Sequence, residues 1–111
     1  MAKTDSLRGT LDLLVLKVLS RGKPRTGYAI NQAIMLKTKG TLSVRNSSLY
    51  PALLRMESAG WISCSGKADR KGERPRIWLW NLTNEGRAQL RTEKARWLQF
   101  SSAVEEVLRR W

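Results

Sequence analysis

The chain has 111 residues, with 21 Lys and Arg against 9 Asp and Glu and a formal net charge of +12, which suits one domain with a modest core and not two. So large a cationic excess attracts polyanions, either nucleic acid or an acidic membrane surface, and carries no information about fold. With no His and only Cys64, a zinc site, a disulfide framework and His-based acid–base chemistry are out of reach. No run approaches the roughly 20 apolar residues needed to span a bilayer, and no signal peptide or internal repeat is visible. A cytoplasmic location, no membrane partner and no cofactor or metal are therefore expected.

Residues 1–5 are polar and are expected to fray. Over residues 6–19, Leu7, Leu11, Leu14, Val15, Val18 and Leu19 fit a helical stripe, with Leu13 and Leu16 off it. A helix apolar on more than one side covers two neighbours, so it either sinks into one core or meets another subunit. Arg21-Gly22-Lys23-Pro24-Arg25 reads as a turn. Thr26 can cap a second helix that runs to about Leu36, with Tyr28, Ile30, Ala33 and Ile34 as inner or flanking residues. Thr41-Leu42-Ser43-Val44 is a short extended link.

The chain is organised around the next stretch, Ser47-Ser48-Leu49-Tyr50-Pro51-Ala52-Leu53-Leu54-Arg55-Met56-Glu57. Leu49, Leu53 and Met56 form one buried stripe, while Asn46, Ser47 and Ser48 lead with short polar groups that can cap orphan N–H groups or reach outward. Pro51 is tolerable only near a helix start, which places that start close to Ser47. Gly60 supplies a stop. A short helix with a polar leading end and an apolar back can enter a DNA major groove.

After Gly60 the period changes. Trp61-Ile62-Ser63-Cys64 reads as one strand and Ile77-Trp78-Leu79-Trp80-Asn81-Leu82 as a second, with Trp78, Trp80 and Leu82 on one face. Cys64 is a small strand residue or, on a second reading, a redox sensor. The segment between the strands holds Lys67, Arg70, Lys71, Arg74 and Arg76. A hairpin with a long basic tip over about 65–76 is a wing whose cations can lie along phosphates, the alternative being a solvated loop. Thr83 can cap a long helix from about Asn84 to Arg110, on which Leu90, Trp97, Val104, Leu108 and Trp111 recur, with Leu98, Phe100 and Val107 beside them and Lys94 and Ser101 interrupting. Nothing is left in the chain to cover that seam, so a dimer is expected. The expected class is mainly α with a small β-hairpin: residues 1–83 form a winged helix-turn-helix and residues 84–111 a C-terminal dimerisation helix in the same compact unit.

Three blocks together carry a resemblance: Leu7-Arg8-Gly9-Thr10-Leu11-Asp12-Leu13-Leu14-Val15-Leu16 with Thr26-Gly27-Tyr28-Ala29-Ile30; Ser48-Leu49-Tyr50-Pro51-Ala52-Leu53-Leu54-Arg55-Met56-Glu57 with Gly60-Trp61-Ile62; and Leu82-Thr83-Asn84-Glu85-Gly86. The chain resembles PadR-type transcriptional regulators of the short class, with a single helix after the wing. The resemblance implies a winged helix-turn-helix homodimer, usually a repressor on a palindromic promoter site, paired through its first and last helices. It also implies a cavity between subunits in several short members, lined by a tryptophan and open to flat aromatic compounds; Trp97 occupies a comparable place. Two departures bear on sequence preference: Thr26 stands where many members carry His, and Arg45-Asn46-Ser47 replaces a common Ser-Pro-Gly lead-in.

The expected function is sequence-specific binding of double-stranded DNA. Asn46, Ser47 and Ser48 are candidates for base edges, and Thr26 and Tyr28 are further DNA-binding candidates at the start of the second helix. Tyr50 either offers its hydroxyl to a phosphate or packs on the second helix. Arg55 is a phosphate contact, a partner of Glu57 or a solvated charge. Lys67, Arg70, Lys71, Arg74 and Arg76 supply affinity rather than sequence choice. Leu11, Leu14, Trp97, Phe100, Val104 and Leu108 form the dimer interface or line a ligand pocket, Trp97 being pocket wall or plain interface core. The alternative is a small basic RNA-binding or protein-interaction module, but the chain lacks an aromatic-studded four-stranded sheet and a Gly-x-x-Gly clamp. Catalysis is not expected: the serines have no His and no carboxylate pair stands apart.

Overall fold

Thr83, at the junction between the last strand and the last helix, shows how local chemistry sets the element bounds. Its hydroxyl oxygen accepts from the Gly86 N–H at 2.9 Å, which caps the helix that follows. The same hydroxyl donates toward the carbonyls of Gly60 and Trp61, at 2.6 and 2.9 Å. The computed structural model describes residues 2–66 and 77–111, with backbone alone over 2–8. Over these residues the order is α1 (Ala2–Leu19), α2 (Gly27–Lys37), α3 (Asn46–Ser58), β1 (Ile62–Ser65), β2 (Leu79–Leu82) and α4 (Asn84–Arg110). Exchanging Thr83 for Ala should cost about 1 kcal/mol, read as a fall of roughly 4–8 °C in Tm.

Helix α1 begins at Ala2 rather than at Ser6, since no Gly or Pro separates the expected frayed residues from the helix. Among its described side chains, residues from both sides of the apolar pattern reach the core of the same chain. Val15, Leu16 and Leu19 are buried, and Leu11, Leu14 and Val18 pack against the same core while keeping some exposure. Leu16, off the sequence stripe, is fully buried because α1 has α4 on one side and α2, α3 and β2 on others.

Thr26 caps α2 as expected, accepting from the Ala29 N–H at 3.0 Å. Ile30 and Ile34 are its buried residues with Gly27, and Tyr28 points outward. The link to α3 is fixed by Asn31, whose side-chain oxygen accepts from the Val44 N–H at 2.9 Å. Helix α3 buries Leu49, Ala52, Leu53 and Met56. Pro51 lies inside this helix rather than in its first turn. It forfeits only the bond that its own N–H would have made to the Ser47 carbonyl.

The strands β1 and β2 pair antiparallel, with Ile62 opposite Leu82 and Cys64 opposite Trp80. Arg25, expected in a turn, joins as a third strand position: it exchanges both backbone hydrogen bonds with Trp80, at 3.1 and 2.8 Å. Trp80 is fully buried and meets Trp78 edge to face, with ring centroids 5.9 Å apart. Trp80 is the buried residue of β2, and Trp78 and Leu82 pack partly buried against the same core; β2 begins at Leu79 rather than at Ile77.

Helix α4 has two parts. Gly86, Leu90 and Glu93 are packed into the domain. From Lys94 onward nearly every residue is exposed, including Trp97, Leu98, Phe100, Val104, Val107, Leu108 and Trp111. On one continuous helix, positions 90, 93, 97, 100, 104, 107 and 111 alternate steps of three and four, which is a heptad seam. Lys94 and Ser101 therefore flank the seam rather than interrupt it.

Candidate nucleic-acid interface

With Leu49, Ala52, Leu53 and Met56 sealed in the core, the opposite face of α3 is left to solvent. Asn46, Ser47, Ser48, Tyr50 and Leu54 are exposed there. The N-cap residue is Arg45, and it makes no side-chain capping bond. The Arg45 carbonyl accepts from the Ser48 N–H at 2.9 Å, which leaves the Asn46 and Ser47 N–H groups at the helix start to an outside acceptor, for which a phosphate oxygen is well matched. Arg45 itself is exposed beside them, a cation that sequence reasoning did not single out.

The start of α2 is held against α3 by a close approach. A Cβ on Gly27 would lie 2.7 Å from Tyr50 Oη and 2.9 Å from its Cζ, so the Tyr50 ring occupies the space that a side chain would fill. Tyr50 thus packs on the second helix and keeps 37% of its surface exposed. Thr26 and Tyr28 flank this contact. The Thr26 oxygen is engaged in its cap, while Tyr28 is 71% exposed and its hydroxyl accepts from Gln32 Nε2 at 2.7 Å. Asn46, Ser47, Ser48, Tyr50, Thr26 and Tyr28 are therefore brought to one region of the surface.

Arg55 does not belong to that group. Both terminal nitrogens donate to the Asp12 carboxylate, at 2.9 and 2.8 Å. The expected partner Glu57 is replaced by a residue on α1, because Arg55 lies on the flank of α3 that faces α1. Donation to Asp12 raises the Arg55 pKa, partial burial opposes the rise, and the charges of Asp12 and Glu93 add to it. Asp12 and Glu93 are buried carboxylates that sequence reasoning missed. The available signal was position, since Asp12 sits one turn before Leu16 and two turns before Leu19, and Glu93 falls on the heptad line of Leu90 and Trp97. Lys67, Arg70, Lys71, Arg74 and Arg76 lie outside the described residues. Among the described residues no helix is long and apolar enough to cross a membrane.

Helix, link, outward-facing helix and hairpin form a winged helix-turn-helix, and the sequence profile of the PadR-like transcriptional regulators matches residues 15–92. The chain belongs to the PadR-like family. A transcriptional regulator of Clostridium thermocellum is similar in structure, with a TM-score of 0.78 and 26% identity over 92% of this chain and 93% of its own. A PadR-like regulator of Bacillus cereus gives 0.70 and 27% over 94% and 96%, and a PadR family regulator of Eggerthella lenta gives 0.69 and 30% over 96% and 89%. This PadR-like protein is thus a DNA-binding transcriptional regulator and not an enzyme. Its family blocks have physical reasons: Gly27 admits the Tyr50 ring, and Thr83 with Gly86 docks the Gly60–Trp61 turn on the start of α4.

Proposed function

We propose that this PadR-like chain acts as a homodimeric repressor on a palindromic promoter site, with α3 of each subunit in successive major grooves about 34 Å apart. The observation that carries the reading is the two-faced α3: its back is locked into the core and its uncapped polar end stands at the surface. Asn46, Ser47 and Ser48 read base edges, while Arg45, Tyr50, Thr26 and Tyr28 hold the sugar–phosphate backbone. Residues 1–83 are the reading unit and residues 84–111 the pairing helix, whose first turns also complete the core. Pairing is supported by the heptad seam from Trp97 to Trp111, which is exposed in the single chain. Leu11 and Leu14 of α1 keep some exposure beyond their core contacts and join the proposed pairing surface.

A planar hydrophobic ligand releases the DNA from a site bordered by Trp97 and Phe100, whose rings lie 6.1 Å apart on the uncovered part of α4. Such a ligand shifts the equilibrium only by its preference for one spacing of the reading helices. The cations Lys67, Arg70, Lys71, Arg74 and Arg76 supply affinity. Changing Arg74 and Arg76 to Ala should lower the magnitude of the log affinity against log salt slope by about 2–4 and leave the preferred sequence unchanged. Changing Asn46 or Ser48 to Ala should instead alter the preferred sequence. Selection from random duplexes with each variant checks both, and a changed preference in the double arginine variant would refute the division of labour.

A further inference from the structure

Arg55 stands where three helices meet. It leaves α3, pairs bidentately with Asp12 of α1, and lies within the field of Glu93 of α4. Asp12 and Glu93 are buried to all but 3% and 5%. Glu93 is itself fixed: its Oε2 accepts from Gln89 at 2.6 Å and from Arg96 at 3.4 Å. Its Oε1 lies 3.0 Å from where a Cβ on Gly9 would stand, so the Glu93 carboxylate rests against the backbone of α1 one turn before Asp12. Helix α1 is thereby clamped to α4 on one side and to α3 on the other.

The apolar contacts of α3 are non-directional and permit a helix to rotate or slide as side chains repack. A bidentate guanidinium–carboxylate pair does not, because its two parallel bonds fix an angle as well as a distance. Among the described residues, these two bonds are the hydrogen bonds that tie α3 to another helix. A pair with one nearly buried partner adds little net stability over apolar residues of similar volume, whereas fixing a register is the best-attested use of such pairs.

We infer that Asp12 and Arg55 are positioning residues that fix the tilt of α3 against the α1–α4 pair, and thereby the half-site spacing that the dimer accepts. The inference rests on the proposed reading of α3 as the DNA-reading helix and α4 as the pairing helix. It makes Arg55 act on specificity without touching DNA.

The test is a chain with Asp12→Leu and Arg55→Met together, which leaves no unpaired buried charge, alongside Arg55→Lys, which keeps the charge and loses the bidentate geometry. Each is assayed on the inverted repeat that the unmodified chain selects from random duplexes, and on versions with the spacer one base pair longer or shorter. The expected result is a drop of about 5-fold or more in the preference for the selected spacer in the double variant, with a smaller drop for Arg55→Lys. Undiminished spacer preference, or an equal loss of affinity at every spacer as for a phosphate contact, overturns the inference while the dimer reading stands. An unmodified chain that selects no inverted repeat overturns the dimer reading and the inference with it.

Discussion

Replacing Gly86 with Ala is expected to destabilise the protein by about 2 kcal/mol or more, seen as a fall of roughly 10 °C in Tm. Helix propensity alone predicts the opposite sign, since Ala is favoured over Gly by about 1 kcal/mol within a helix. The structure reverses this because a Cβ at Gly86 would collide with the backbone carbonyl oxygen of Trp61 and come within 2.6 Å of Leu82 Cδ1. That carbonyl cannot retreat cheaply: it accepts from the Thr83 N–H at 3.0 Å and from the Thr83 hydroxyl. Opening the junction would break the α4 cap and move the first turn of α4 off the core. Thermal unfolding checks the sign directly, and an unchanged or raised Tm would mean that the Gly60–Trp61 turn is not docked on α4.

The second large effect concerns DNA affinity. If each dimer neutralises six to ten phosphates, the affinity for a selected duplex should fall by roughly 10³ to 10⁵ between 50 and 200 mM salt. The 21 Lys and Arg of each chain supply the cations. Ion pairs among the described residues engage four of them: Arg55 with Asp12, Arg96 with Glu93, Arg109 with Glu105 and Glu106, and Arg110 with Glu106. Arg45, the uncapped start of α3 and the cations of residues 67–76 carry the contact. Titration at four or more salt concentrations gives the slope, and a slope near zero would exclude phosphate neutralisation as the source of affinity.

Elements with chemically local signals were legible in the sequence. Thr26 and Thr83 announce their helices through hydroxyl caps, and α4 runs from Asn84 to Arg110 as its pattern predicts. The outward placement of Asn46, Ser47 and Ser48 follows from the buried stripe of Leu49, Leu53 and Met56. Features made by distant partners were not legible. Arg25 contributes a single bridge to the sheet, too short for any alternation to register. Arg55 finds its partner 43 residues earlier in the chain, and no spacing rule connects them. Leu16 looks misplaced on one helix until α4 supplies the second wall. Pro51 pointed correctly to a helix start within a residue of Ser47, since α3 begins at Asn46. Pro51 itself lies beyond the first turn, where four buried side chains hold the helix despite the lost bond.

The heptad line on α4 shows the same division. Its periodicity is local and visible, but which residues it leaves free depends on how far α1 extends along it. Burial ends at Glu93, so the aromatic and aliphatic residues beyond stand ready for another surface.

Selection of bound duplexes from a random pool by the purified chain bears most directly on the claim that two α3 helices read DNA as a symmetric pair. The account predicts an inverted repeat whose half-sites are centred about one helical turn, roughly 34 Å, apart. Recovery of an unsymmetric sequence, or of no consensus beyond salt-sensitive adhesion, would contradict it.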